Sequence, residues 1–255
     1  MMHFKTAVSK ILSTHGRGVP DFVWNILELK NINHSTLDVY YDFLIDYHDV
    51  VDGDVVELGV FRGASLISTA LLLKSFGSNK KVYGFDSFSG FPSFHPNDDK
   101  SVFERLHKQG RISEEHYQWV LFKQDSESLF PREHNFDNTT LDFVKSRIKL
   151  FDLDNIELIT GDLTHNLEKL PKTIMAGLFD CDLYLPYKDA LPAIYEKLAD
   201  RGLIYLDEYY SLKYPGPRLA VDEFCAASGL KPIKSSRLSQ GEFERWYIER
   251  GPRAR

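Results

Sequence analysis

Five short apolar runs, separated by stretches of helical character, constrain this chain more than any other feature. The runs are Val55–Leu58, Lys81–Phe85, Ile156–Thr160, Met175–Phe179 and Gly202–Leu206. Between the first two lies the strongly apolar stretch Ala64–Phe76, closed by Gly77, a residue suited to capping a helix end. Helical segments are expected over about 139–151, 187–199 and 217–228, the last following Pro215-Gly216-Pro217. Strands alternating with helices at this spacing predict an α/β fold, a parallel sheet with helices on both faces. The tail departs from the alternation: Lys231–Ser235 and Phe243–Ile248, joined through Gly241, read as a closing hairpin on the sheet edge. Residues 1–50 read as an N-terminal helical extension, with Phe22, Ile26 and Leu29 spaced for one face.

Residues 93–138 fit the alternation poorly. They are polar and aromatic, with Phe94, Phe103, Tyr117, Trp119, Phe122, Phe130 and Phe136 set among charges. A connection that long is functional or disordered as a rule, and its aromatic content argues against disorder. It is expected to form a helical lid over the ligand end of the sheet; the alternative is an insertion that packs elsewhere or makes a dimer contact. With 255 residues, 43% of them hydrophobic, one domain spanning 1–255 accommodates the whole pattern.

Composition removes several classes of function. A net charge of -6 argues against a protein built to hold nucleic acid. Cys181 and Cys225 cannot form a disulfide framework and show no zinc spacing, so a reduced, intracellular setting is the default. No window approaches the roughly 18 apolar residues of a membrane span, and the N-terminus lacks a signal-peptide pattern. The expectation is a cytoplasmic protein with neither membrane nor nucleic-acid partner. No G-x-S-x-G elbow supports a serine hydrolase.

The ends of the runs carry the chemistry. Glu57-Leu58-Gly59-Val60-Phe61-Arg62-Gly63-Ala64-Ser65 places a glycine loop at the carboxyl end of the first strand, where ligands bind in open α/β sheets. Gly59 and Gly63 allow close backbone approach, and the following helix offers free N–H groups. The pattern E-x-G-x-x-x-G is not the G-x-G-x-x-G of dinucleotide enzymes. Asp86 ends the second strand, where a carboxylate can accept both hydroxyl hydrogens of a ribose or simply cap a turn. Gly161-Asp162 ends the third and could reach an adenine, or Asp162 could be the N-cap of the next helix.

Asp180-Cys181-Asp182 and Asp207-Glu208 end the fourth and fifth runs. If those strands are neighbours, four carboxylates converge. Such charges repel and raise one another's pKa unless a cation or shared proton compensates them. Oxygen ligands favour Mg²⁺ or Ca²⁺ over zinc. Against this stands the plain alternative that Asp182 and Glu208 cap loops in solvent. Cys181 reads as a small buried side chain, Arg218 as a contact to a sugar or carboxylate or as a partner of a nearby acid, and His95 and His165 as capping or surface residues.

VVELGVFRGASL, VYGFDSFSGFP, GLFDCDLYLPYKDAL, LADRGLIYLDEYY and GPRLAVDEF follow in the order seen in the macrocin-type (TylF/MycF/NovP-like) methyltransferases, so residues 50–230 resemble that family. The resemblance implies a class I, Rossmann-like S-adenosylmethionine-dependent methyltransferase with a seven-stranded sheet, in which the strand bearing Asp180 lies beside the one bearing Asp207. It implies an Mg²⁺-dependent O-methyltransferase acting on sugar-like acceptors. The Glu57–Gly63 loop, Arg62 included, and Ser65 would hold the methionine portion, and Asp86 with Ser87 the ribose end. Asp180, Asp207 and Glu208 fall on the family's metal ligands and Asp182 on its general base. This chain departs from the family in carrying Asp207-Glu208 where Asp-Asp is usual. An NAD-dependent sugar oxidoreductase and an inactive methyltransferase-fold scaffold are the alternatives, and a homodimer through the N-terminal helices and insertion is expected.

Overall fold

A computed structural model describes residues 37–129, 136–137, 139–236 and 244–251. The first 36 residues, and with them most of the expected helical extension, lie outside the described residues, as do Phe130, Gly241 and Phe243.

Seven strands form one sheet in the order β3-β2-β1-β4-β5-β7-β6. The five apolar runs are β1 (Asp54–Leu58), β2 (Val82–Asp86), β3 (Ile156–Thr160), β4 (Ile174–Phe179) and β5 (Leu198–Leu206), all mutually parallel. β7 (Trp246–Glu249) runs antiparallel beside β5, and β6 (Ile233–Lys234) closes the edge. The tail hairpin is therefore present, but its outer strand keeps only two residues, both exposed.

Alternating side chains divide the core. Val56, Leu58 and Ile204 point to a layer shared with α6 (Tyr184–Lys197) and α7 (Gly216–Ser228). Val55, Ala176 and Tyr205 point to the other, shared with α1 (Asp38–Tyr47) and α2 (Ala64–Ser75). Every residue of β4 is buried, as expected of a central strand covered on both faces. α2 buries eight consecutive residues from Leu66 to Leu73, which explains its nearly uniform apolar sequence. Gly84 on β2 admits that helix: a Cβ there would lie 2.9 Å from Leu66 Cδ1.

The starts of α6 and β5 differ from the sequence expectation for physical reasons. α6 starts at Tyr184, three residues early, because Pro186 falls in the first turn, where no intrahelical N–H bond is needed. β5 starts at Leu198, inside the expected helix; its pairing slips from Ile174–Leu198 to Ala176–Leu203, so an irregularity takes up the intervening residues.

The aromatic insertion contains α3 (Val102–Lys108) and α4 (Glu114–Leu129), followed by α5 (Leu141–Leu150). Phe103, Leu106 and Val120 join the core layer of α6 and α7. Polar ties fasten the insertion where the chain leaves β4 and β5. Asp98 accepts from Tyr184 N–H at 2.8 Å, His116 Nε2 meets the Ser211 carbonyl at 2.8 Å, and Arg111 pairs with Asp222.

Candidate active site

The loop after β1 is shaped by its neighbour on β4. Gly59 has φ +87°, and a Cβ on it would sit 1.7 Å from the Asp180 carbonyl oxygen. Gly59 N–H donates to the Phe85 carbonyl and Asp180 N–H to the Leu58 carbonyl, each at 2.9 Å, so three strand ends are laced together at this residue. Asp86 fastens the same place from β2. Its Oδ2 accepts from Val60 N–H and Phe61 N–H, both at 2.8 Å, and its Oδ1 from Phe88 N–H at 2.6 Å. The capping alternative thus describes three of this carboxylate's bonds, and the side chain also faces the cavity.

Glu57 does not line that cavity. It is fully buried beneath the loop, where its Oε1 accepts from Ser65 Oγ at 2.7 Å. Burial first, then the charges of Asp180 and Asp86, push its pKa well up. Ser87 lines the cavity and closes its own turn by donating to the Gly90 carbonyl at 2.6 Å. Gly161 N–H donates to the Asp86 carbonyl, and Asp162 caps the next turn through Thr164 N–H at 2.9 Å while lining the cavity.

This cavity encloses about 300 Å³ at the carboxyl ends of β1, β2, β3 and β4. Gly59, Arg62, Ser65, Asp86, Ser87, Gly161, Asp162, Asp180 and Asp182 all border it. Phe61, Phe91 and Phe136 line it as well. Phe136 meets Phe61 and Phe91 with 5.2 Å between ring centroids, and Phe91 reaches Tyr214 at 5.7 Å. The Lys213 ammonium lies 4.9 Å from the Tyr214 ring centre and 5.7 Å from that of Phe136.

Strand register assembles the acids. Phe179 pairs with Leu206, so Asp180 and Asp207 emerge side by side. One ligand atom from each of Asp180, Asp207 and Glu208 lies within 4.8 Å of the others. Burial raises the pKa of all three. For Asp180 and Glu208 the neighbouring carboxylates add to it, whereas for Asp207 the Arg245 guanidinium, 3.5 Å away, opposes it. Asp182 sits next to them in a left-handed conformation, φ +61°. Burial pushes its pKa to about 7 against the pull of Lys213. A half-buried, all-oxygen, carboxylate-rich donor set fits a hard divalent cation, whose charge would offset the repulsion.

The remaining candidates have other partners. Arg218 does not line the cavity; its guanidinium stacks 4.2 Å from the Tyr209 ring centre, donates to the Arg111 carbonyl and lies 3.8 Å from Asp222. The neighbouring-acid alternative describes it. His95 caps a turn through Asn97 N–H, and His165 is exposed beside Asp162. Cys181 is a free thiol on the cavity wall whose pKa burial raises further.

Sequence reasoning passed over Tyr187, Lys213 and the aromatic wall of Phe61, Phe91 and Phe136. Phe61 and Phe91 stood inside the quoted motifs, so their position was a usable signal. Tyr187 stood inside a quoted motif as well; Lys213 carried no signal, since it matters through Phe136 and Asp182, distant in sequence.

Residues 43–235 match the macrocin-O-methyltransferase (TylF) family. The chain belongs to that family. It is 29% identical over 185 residues to mycinamicin III 3''-O-methyltransferase of Micromonospora griseorubida, covering 71% of this chain and 64% of that protein. It is 26% identical over 197 residues to the 8-demethyl-8-(2,3-dimethoxy-alpha-L-rhamnosyl)-tetracenomycin-C 4'-O-methyltransferase of Streptomyces olivaceus, covering 76% of this chain and 66% of that one. The chain thus spans just under two thirds of the length of these curated relatives. The crystal structure of CalS11, a calicheamicin methyltransferase, superposes with a TM-score of 0.60 at 20% identity, over 96% of this chain and 91% of its own. The fold is that of a class I S-adenosylmethionine-dependent methyltransferase, as the resemblance implied.

Proposed function

We propose that this protein is an S-adenosylmethionine-dependent O-methyltransferase that uses Mg²⁺ to modify a hydroxyl of a sugar or sugar-containing small molecule. One observation carries the reading: the glycine loop after β1 and the acids after β4 border the same cavity, donor-side and acceptor-side residues facing one space. The relatives named above, one modifying a mycinamicin and one a rhamnosyl-bearing tetracenomycin, support a sugar-type acceptor.

In this reading the Gly59–Gly63 loop, Arg62, Ser65 and the α2 N-terminus hold the methionine end of the cofactor, with Glu57 supporting them from below. Asp86, Ser87, Gly161 and Asp162 hold the nucleoside end. Asp180, Asp207 and Glu208 hold Mg²⁺. S-adenosylmethionine supplies the electrophilic methyl group, and Mg²⁺ supplies positive charge that acidifies a neighbouring hydroxyl. Asp182 accepts the proton that hydroxyl releases as its oxygen becomes the nucleophile. Phe61, Phe91 and Phe136 keep water from the space between them. The insertion acts as a lid, and the whole chain works as one unit.

We extend the proposal to a cytoplasmic homodimer. The described residues contain no helix long and apolar enough to cross a membrane, and Trp119 and Phe122 on α4 present exposed apolar surface. Light scattering at micromolar protein would read a mass near twice that of the chain, and a monomer would remove the dimer.

Calorimetry with S-adenosylmethionine and NAD⁺, each with and without Mg²⁺, tests the cofactor assignment; mass spectrometry of hydroxylated sugar acceptors tests transfer. Micromolar S-adenosylmethionine binding and a methylated product are expected. Cofactor binding without turnover on any acceptor would favour the inactive scaffold.

A further inference from the structure

The Tyr187 hydroxyl lies within hydrogen-bond distance of both acid-bearing strand ends. Tyr187 stands on the first turns of α6 and is fully buried. Its hydroxyl lies 2.6 Å from Glu208 Oε2, 2.8 Å from the Phe179 carbonyl oxygen and 3.4 Å from the Glu208 backbone nitrogen. Phe179 directly precedes Asp180 at the end of β4, and Glu208 directly follows Asp207 at the end of β5. The hydroxyl therefore links the backbone just before Asp180 to the carboxyl group of Glu208.

The glutamate, which also hydrogen-bonds Asp180 and Asp207, gains a further fixed point from this contact. Its side chain is one methylene longer than an aspartate's and has one more torsion to fix, so it samples more positions unless something holds it. Glu208 is only 6% exposed, and a buried carboxyl left without a partner is costly. Packing in turn holds the phenol: its ring meets Phe179 with centroids 5.2 Å apart. A rigid aromatic arm thus presents one hydroxyl at a fixed point between the two strand ends.

We propose that Tyr187 is a positioning residue of the cation site: its hydroxyl fixes one carboxyl oxygen of Glu208 relative to the backbone next to Asp180, and so sets the spacing of the ligand cage. The inference rests on the reading of Asp180, Asp207 and Glu208 as cation ligands. Groups that orient metal ligands cost about 10–100-fold in affinity when removed.

The test is calorimetric titration of Mn²⁺ and Mg²⁺ into the full chain without cofactor, comparing wild type with Tyr187→Phe, which keeps the ring and loses only the hydroxyl. At least about tenfold weaker Mn²⁺ binding is expected in the variant, with S-adenosylmethionine affinity unchanged as evidence of an intact fold. Glu208→Asp supplies the second arm. Its shorter side chain cannot reach the hydroxyl in the same way, so adding Tyr187→Phe to it should produce little further loss. Equal metal affinity in wild type and Tyr187→Phe would overturn the role of Tyr187 alone. An equally large loss in the Glu208→Asp background would reduce the hydroxyl to a general structural part. A wild-type protein that binds neither ion would sink the cation reading, and this inference with it.

Discussion

Gly59 has little conformational freedom. Its φ of +87° disfavours other residues, and the Asp180 carbonyl occupies the space of any Cβ. Gly59→Ala should lower stability by about 3 kcal/mol or more, combining left-handed strain with a backbone clash. A urea unfolding midpoint unchanged from wild type would contradict the geometry. Asp182 is constrained differently: it is placed by a left-handed turn at the cavity wall, and the role proposed for it is chemical. Asp182→Asn keeps the size and removes the base, so kcat should fall by roughly 10²–10⁴ while the Kd for S-adenosylmethionine stays near the wild-type value. Undiminished turnover would remove Asp182 from the mechanism. Both residues were visible in the sequence, Gly59 by its position after a strand and Asp182 by its place in an acidic triplet. The carbonyl that makes Gly59 obligatory was not visible, because it comes from another strand.

At the scale of elements, the insertion is held to the sheet by contacts that respond to pH. His116 on α4 is buried, stacks on Tyr210 with centroids 3.9 Å apart, and meets the Ser211 carbonyl. Burial, then the positive charge of Arg218, depress its pKa to about 4, while the Ser211 bond and Glu244 act the other way. The unfolded chain takes up this proton near pH 6.5 and the folded protein only near pH 4. The neutral histidine therefore contributes fully above pH 6.5, and its contribution is lost as pH falls through that window. The loss amounts to at most about 3 kcal/mol. Urea midpoints measured between pH 7 and pH 4.5 should fall in wild type and fall less in His116→Gln. Equal slopes would show that His116 is not the sensor. The sequence marked residues 93–138 as exceptional through aromatic content. It could not pair His116 with Ser211 or Arg111 with Asp222, contacts that close loops of about a hundred residues.

For the whole molecule, a ligand that binds only the folded state raises its stability, by about 2.7 kcal/mol at a hundredfold excess over Kd. Mg²⁺ should raise the Tm of wild type, and excess chelator should reverse the gain. Asp180→Asn should abolish the Mg²⁺ shift and keep the shift produced by S-adenosylmethionine, which separates cation binding from cofactor binding. An Mg²⁺ shift that survives Asp180→Asn would place the ion elsewhere.

Hydrophobic periodicity is local, so the sequence by itself determined the alternation of strands and helices, the glycine loop after β1 and the acids at the ends of β4 and β5. It also carried the family resemblance that the match over residues 43–235 establishes. Only the tertiary structure decided what those ends meet. Sheet order puts β4 beside β5, and register pairs Phe179 with Leu206, which brings Asp180 to Asp207 and Tyr187 to Glu208. The same packing took Arg218 out of the cavity and gave it to Tyr209 and Arg111. A side chain's partner across many residues depends on strand order, register and helix placement, which are fixed collectively when the two core layers close on the sheet.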